Sequence, residues 1–194
     1  MSRIVKVVGI SGSLRKGSFN TSLLAAASSL LPDGMEIKIA EIGNLPLYNA
    51  DLEEDNEPEV VRRFRELLSA GDGFVLASPE YNYSIPGTLK NAIDWASRAS
   101  DSPLVGKPVA LMGASPGLMG TARMQLAFRP VFQYLNMIPV NKPEVIVMQA
   151  HKKFDSEGHL IDEHIIEIVR KQLLALKALV VQQQTISEIS YTTN

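Results

Sequence analysis

Apolar residues fall into two alternating patterns along this chain. Residues 4–10 form a short run rich in valine and isoleucine that ends in Ser11, Gly12 and Ser13, the profile of a buried strand entering a loop. Leu23, Leu24, Ala27, Leu30 and Leu31 then recur at helical spacing, with Ser18 placed to cap the helix start and Pro32, Asp33 and Gly34 to stop it. The alternation repeats. Residues 35–41 read as a second strand, 58–70 as a helix with Pro58 near its first turn and Gly71 just past its end, and 74–78 as a third strand. A helix over 86–97 presents Leu89, Ala92, Ile93 and Ala96 on one face, and 108–112 reads as a fourth strand. Met124, Ala127, Phe128, Val131, Phe132 and Leu135 form the ladder of a further helix, in which Pro130 removes one hydrogen bond and predicts a bend. A fifth strand is expected within 140–148, a turn at Asp155-Ser156-Glu157-Gly158, and a long helix over 162–181. Residues 182–194 are polar and read as a frayed tail.

Five strands alternating with five helices predict an α/β domain over residues 1–181. Its core is a doubly wound, five-stranded parallel sheet with helices on both faces, because right-handed crossovers place helices on each side. In such sheets ligands bind beyond the carboxyl ends of the strands, where the winding reverses. Chemistry is therefore to be sought in the loops after strands one, three and four.

Composition narrows the classes. A chain of 194 residues, 45% hydrophobic, is large enough to bury one core. Nineteen Lys and Arg against 21 Asp and Glu give a net charge of −2, so no basic field invites nucleic acid. The chain has no cysteine, which removes disulfides, Cys-ligated metals and thiol nucleophiles from consideration. No run approaches the roughly 18 apolar residues of a membrane span, and a soluble cytoplasmic protein is expected. His151, His159 and His164 lack metal-binding spacing, so no metal site is expected. The acidic cluster of Asp51, Glu53, Glu54, Asp55, Glu57 and Glu59 reads as the solvated start of the second helix.

The loop after strand one holds Ser11, Ser13, Arg15, Ser18, Asn20 and free N–H groups at a helix start, a set that converges on one anion. Gly12 and Gly17 have the glycine spacing of a Walker loop, but Ser18 and Phe19 follow instead of Lys and Ser/Thr. The dinucleotide fingerprint is also missing. A pyrophosphate needs glycines for close backbone approach, whereas hydroxyls and one Arg suit a terminal monophosphate. An ordinary Ser/Gly turn is the alternative. In the loop after strand three, Pro79, Glu80, Tyr81, Asn82, Tyr83 and Pro86 offer a rigid backbone edge and aromatic faces suited to a flat polar heterocycle, or a loop that merely packs. After strand four, Gly113-Ala114-Ser115-Pro116-Gly117 matches the nucleophile-elbow pattern, with Asp155 or Asp162 and His159 or His164 following in hydrolase order. Pro116 argues against hydrolysis, because the residue after the nucleophile must donate a backbone N–H to the oxyanion. Ser115, Gly117 and the neighbouring glycines then serve as a thin wall against a planar ligand. Trp95, on the third helix, is expected to pack in the core or between subunits.

The stretches Gly12-Ser13-Leu14-Arg15-Lys16-Gly17-Ser18-Phe19-Asn20, Pro79-Glu80-Tyr81-Asn82-Tyr83-Ser84-Ile85-Pro86-Gly87 and Leu89-Lys90-Asn91-Ala92-Ile93-Asp94-Trp95 resemble the NADPH-dependent FMN reductase family, within it the chromate and quinone reductase branch. The resemblance runs from Ile4 to about Val180. It implies a flavodoxin-like fold, bound FMN, and NAD(P)H as hydride donor, with quinones as acceptors and chromate, ferric complexes, azo dyes or free flavins as secondary ones. The FMN contacts it implies are Ser11, Ser13, Arg15, Ser18, Phe19 and Asn20 at the phosphate, Pro79, Glu80, Tyr81, Asn82 and Tyr83 at the ring, and Ser115 and Gly117 closing the site. No side chain is assigned as catalytic, since the flavin carries the chemistry. A homodimer or homotetramer is implied as well. A flavodoxin-type electron carrier and a flavin-free binding module are the competing readings.

Overall fold

The computed structural model describes residues 3–53, 57–98 and 101–192, with side chains to residue 186. The chain runs β1 (Val5–Ser11), α1 (Phe19–Ser29), β2 (Met35–Ala40), α2 (Glu59–Ser69), β3 (Gly73–Ala77), α3 (Gly87–Ser97), β4 (Pro108–Ala114), α4 (Ala122–Tyr134), β5 (Ile138–Pro139), β6 (Val145–Val147) and α5 (Glu163–Thr192). Every strand pairing is parallel, in the order β2-β1-β3-β4-β5, with β6 also on β4. The winding therefore reverses between β1 and β3, the flavodoxin-like switch point.

Alternation along the strands feeds two cores. Val7 and Val75 point to the face covered by α1 and α5, where they meet Leu23, Leu24, Val169 and Leu173. Val8, Phe74 and Leu76 point to the other face, under Phe64, Leu68, Leu89, Met124 and Phe128 of α2, α3 and α4. β3 and β4 are buried on both sides, which is why their sequences are continuous apolar runs. The Lys107 ammonium closes the carbonyl end of α2, donating to Leu68, Ser69 and, at 2.6 Å, Gly71; burial holds its pKa below that of an ordinary lysine.

Two expectations are corrected. The fifth strand is split: β5 pairs with Pro108 and Val109, and β6 with Met112, Gly113 and Ala114. Pro139 and Pro143 lack the N–H a continuous ladder needs, and the Lys142–Pro143 bond is cis. Buried Gln172 of α5 fills the gap, its Nε2 donating to the carbonyls of Leu111 (3.1 Å) and Pro143 (3.0 Å). The polar tail is also helical as far as Thr192, because Gln182, Gln183 and Gln184 are good helix formers and no Pro or Gly follows Val181 to stop the helix. α4 runs unbroken through Pro130 and ends at Asn136 in the left-handed region, with the Met137 N–H returning to the Phe132 carbonyl. Of the acidic cluster, Glu54 and Asp55 lie outside the described residues.

Candidate active site

Three loops meet at the carboxyl edge of β1, β3 and β4 around a cleft of about 380 Å³. The first begins at Gly12, where an added Cβ would lie 2.9 Å from Ser78 Oγ and 3.0 Å from Leu89 Cδ2, so only glycine lets the loop press against α3. The Ser18 side chain then caps α1, accepting from the N–H groups of Asn20 (3.2 Å) and Thr21 (3.4 Å). The backbone N–H groups of Leu14, Lys16, Gly17, Ser18 and Phe19 have no acceptor among the described residues. Arg15 lies alongside, its guanidinium donating to the Gly17 carbonyl at 2.9 Å. Unpaired donors, a helix N-terminus and a cation form a cradle for an anion.

Asn20 joins the first loop to the fourth. Its Nδ2 donates to the Ala114 carbonyl (2.9 Å) and its Oδ1 accepts the Ala114 N–H (2.8 Å), in a buried setting. The Asn20 side chain thus lines the cleft and also holds the end of β4 with two of its bonding positions.

The third loop is a tight hairpin. Tyr81 and Ser84 exchange both backbone hydrogen bonds (3.1 and 2.9 Å), and Asn82 and Tyr83 between them have φ of 51° and 63°, the type I′ geometry. Tyr83 is a bulky residue where glycine is favoured, and the Arg123 guanidinium lies 4.0 Å above its ring. Glu80 Oε2 accepts the N–H groups of Arg123 (2.9 Å) and Met124 (3.1 Å), so its carboxylate caps α4 from a distant loop while Thr121, at the cap position, contributes no side-chain bond.

The fourth loop is stitched to the segment after β6: Ser115 N–H to the Val147 carbonyl, Ala150 N–H to the Ser115 carbonyl, and Gln149 N–H to the Gly117 carbonyl, all within 3.0–3.1 Å. Gly113 has no room for a side chain, since a Cβ would fall 2.2 Å from Thr121 Oγ1.

Of the residues singled out from sequence, the structure brings nine into the cleft wall: Ser13, Arg15, Ser18, Phe19 and Asn20, then Pro79, Glu80 and Tyr81, then Ser115. Ser11 stands behind it, bonded to Thr21 Oγ1 at 2.9 Å. Asn82 and Tyr83 form the hairpin tip, and Gly117 donates to Ser115 Oγ (3.1 Å) without lining the cleft. Sequence reasoning missed Ala114 and Pro116 in the wall, and missed Arg123, which no spacing rule connects to Tyr83.

A model of the NADPH-dependent FMN reductase family matches residues 5–152. The chain belongs to that family. It is 49% identical over 177 residues to an NAD(P)H-dependent FMN reductase of Pseudomonas aeruginosa, covering 91% of this chain and 96% of the relative. A quinone reductase of Escherichia coli is 41% identical over 178 residues, 90% and 95% of the two chains. Among solved structures, the flavoenzyme NAD(P)H:(acceptor) oxidoreductase of Paracoccus denitrificans superposes with a TM-score of 0.84 at 31% identity, covering 93% and 99%. The flavodoxin-like α/β fold and an oxidoreductase chemistry with FMN and NAD(P)H follow for the family.

The hydrolase pattern does not assemble. Ser115 Oγ accepts the Gly117 N–H, while His159 Nδ1 pairs with Asp155 (3.1 Å) beside α1 and α5. Among the described residues no cluster of three or more His, Asp or Glu is arranged to hold a metal, and no helix is long and apolar enough to cross a membrane. Trp95 is 2% exposed within the single chain, so it packs internally.

Proposed function

We propose that this chain is an FMN-dependent NAD(P)H oxidoreductase that delivers electrons to quinones, acting in the cytoplasm, where NAD(P)H is available, as a homodimer or homotetramer. The observation that carries the reading is the cradle at the start of α1, with five unpaired N–H groups beside Arg15. It suits a terminal phosphate, and the adjoining cleft lies within the size range of small-molecule sites. FMN fits the residues present.

When bound, FMN would supply the hydride and electron-transfer chemistry between NAD(P)H and the acceptor. The protein's own contributions are positional. Ser13, Ser18 and Arg15 would hold the phosphate end, and the backbone from Pro79 to Tyr81 would offer a rigid edge to the ring. The Asn20 bridge and the Glu80 cap fix the three loops relative to one another. No acid–base side chain is needed at the reacting atoms. The names of the relatives, FMN reductase and quinone reductase, support quinones as acceptors. Chromate, ferric complexes, azo compounds and free flavins are proposed as secondary acceptors.

The deciding experiment is the visible spectrum of the purified protein, extraction of the chromophore, and anaerobic addition of NAD(P)H. A yellow protein that yields FMN and bleaches carries the reading. Yellow without bleaching makes it an electron carrier, and no colour after FMN is supplied removes the cofactor.

A further inference from the structure

All the sulfur of this chain is methionine, and the fold divides it into two groups. Met35 and Met112 pack in the core under α1 and α5, Met124 and Met137 in the core on the other face, and none of the four is more than 8% exposed. Met119 and Met148 are 54% and 51% exposed. Both lie at one place. Met119 is at the tip of the loop after β4 and Met148 follows β6 directly, on two segments that the Ser115–Val147 and Gly117–Gln149 backbone hydrogen bonds hold side by side.

The backbone there leaves neither side chain a way inward. Gly120 has φ of 57°, and a Cβ on it would fall 2.4 Å from Ile146 Cγ2 and 3.4 Å from Met148 Cγ, so the tip lies flat on the end of β6 with the Met148 side chain against it. Gln149 turns the chain away with φ of 48°, and its N–H is fixed on the Gly117 carbonyl at 3.1 Å. Leu118, also exposed, completes an apolar patch. The patch adjoins the cleft, because Ser115 and Pro116 of the same loop line the cleft wall.

A thioether is a two-electron reductant toward peroxides. Hydrogen peroxide gives one oxygen to the sulfur, its O–O bond breaks, the other oxygen leaves as water, and the side chain becomes a sulfoxide. Access to the sulfur governs the rate, and no cysteine thiolate is present to react first. The product puts a polar group where a flexible apolar one stood. With the other four sulfurs shielded, oxidation changes the patch and leaves both cores intact.

We propose that Met119 and Met148 are a paired oxidation site: hydrogen peroxide converts them to sulfoxides, and the polar patch that results weakens the binding of apolar quinones at the adjoining cleft. The effect on quinones rests on the proposed function, whereas the modification of the two sulfurs does not. Methionine sulfoxide reductases, one for each sulfoxide epimer, reverse the step.

The test is graded exposure of the protein, supplied with FMN, to hydrogen peroxide, with peptide mass spectrometry and quinone kinetics on the same samples. One added oxygen is expected at Met119 and at Met148 at least about tenfold faster than at Met35, Met112, Met124 or Met137. KM for menadione, an apolar quinone, is expected to rise roughly three- to tenfold with kcat kept, and to fall back after treatment with both reductases. In the Met119→Leu/Met148→Leu double variant, peroxide-treated and untreated samples should share one KM. Oxidation of all six methionines at similar rates overturns the site. Selective oxidation that leaves the KM of treated wild type unchanged overturns its effect on acceptors. A protein that turns over no quinone overturns the proposed function instead, and the peptide map still decides the site.

Discussion

Arg15 is the residue on which the phosphate reading turns. Its guanidinium now rests on the Gly17 carbonyl, a weak anchor it can exchange for a phosphate oxygen. A charge-assisted contact of that kind is worth about 1.5–3 kcal/mol, so Arg15→Ala should raise the FMN dissociation constant roughly 10- to 150-fold, read by flavin fluorescence titration. An unchanged constant would remove Arg15 from the cradle. Ser115 makes the opposite case. Its hydroxyl accepts one backbone N–H and meets no histidine, so Ser115→Ala should keep NAD(P)H–quinone turnover near the wild-type rate. Turnover that collapsed with FMN still bound would give the hydroxyl a chemical role. Asp162 is legible as a helix start from sequence alone. Its carboxylate is held below the ordinary aspartate pKa by Lys153 first, and then by the Ile165 N–H. With the folded pKa below the unfolded one, its stabilisation is fully present above about pH 3.8 and is lost as pH falls through the folded value. Asp162→Asn should therefore lower the urea midpoint at pH 7, and the gap to wild type should close below pH 3.8. A gap of constant size would mean that charge is not what the substitution removes.

At the scale of elements, the loops are coupled by side chains reaching across long sequence separations. Asn20 binds both backbone groups of Ala114, 94 positions away, and Glu80 caps a helix 43 positions away. Asn20→Ala would strand a buried N–H and a buried C=O, each costing about 1–3 kcal/mol. A loss of about 2–6 kcal/mol is expected in urea unfolding, together with weaker FMN retention because the first and fourth loops separate. Stability within 0.5 kcal/mol of wild type would show that the bridge is dispensable. The Ser18 cap was readable in sequence because capping is local and depends on a residue type two or three positions from its donors. The Glu80 cap was not, because its partner is chosen by where β3 and β4 deliver their loops.

For the molecule as a whole, cofactor and fold are linked. A ligand that binds only the folded chain stabilises it by about 2.7 kcal/mol at a hundredfold excess over its dissociation constant, which for a chain of this size raises the melting temperature by roughly 5–10 °C. Adding FMN to flavin-free protein should produce that shift in a thermal scan, whereas riboflavin, lacking the phosphate, should produce much less. Equal shifts from the two would mean that the phosphate cradle contributes nothing.

The sequence by itself determined the order of elements, the parallel sheet and the three loops that carry the site. These depend on periodicity, caps and breakers within a few residues of one another, and buried strands must be apolar on both faces wherever they end up. Tertiary structure decided the rest. That Asn20 binds the backbone of Ala114, whether Trp95 faces inward, where Arg123 lies and why the fifth strand divides are questions of which groups meet across the sheet. Only the packed fold sets those distances. Residues 182–192 show the same division from the other side: their polarity was plain in the sequence, but polarity does not distinguish a frayed chain from a helix that continues because nothing stops it.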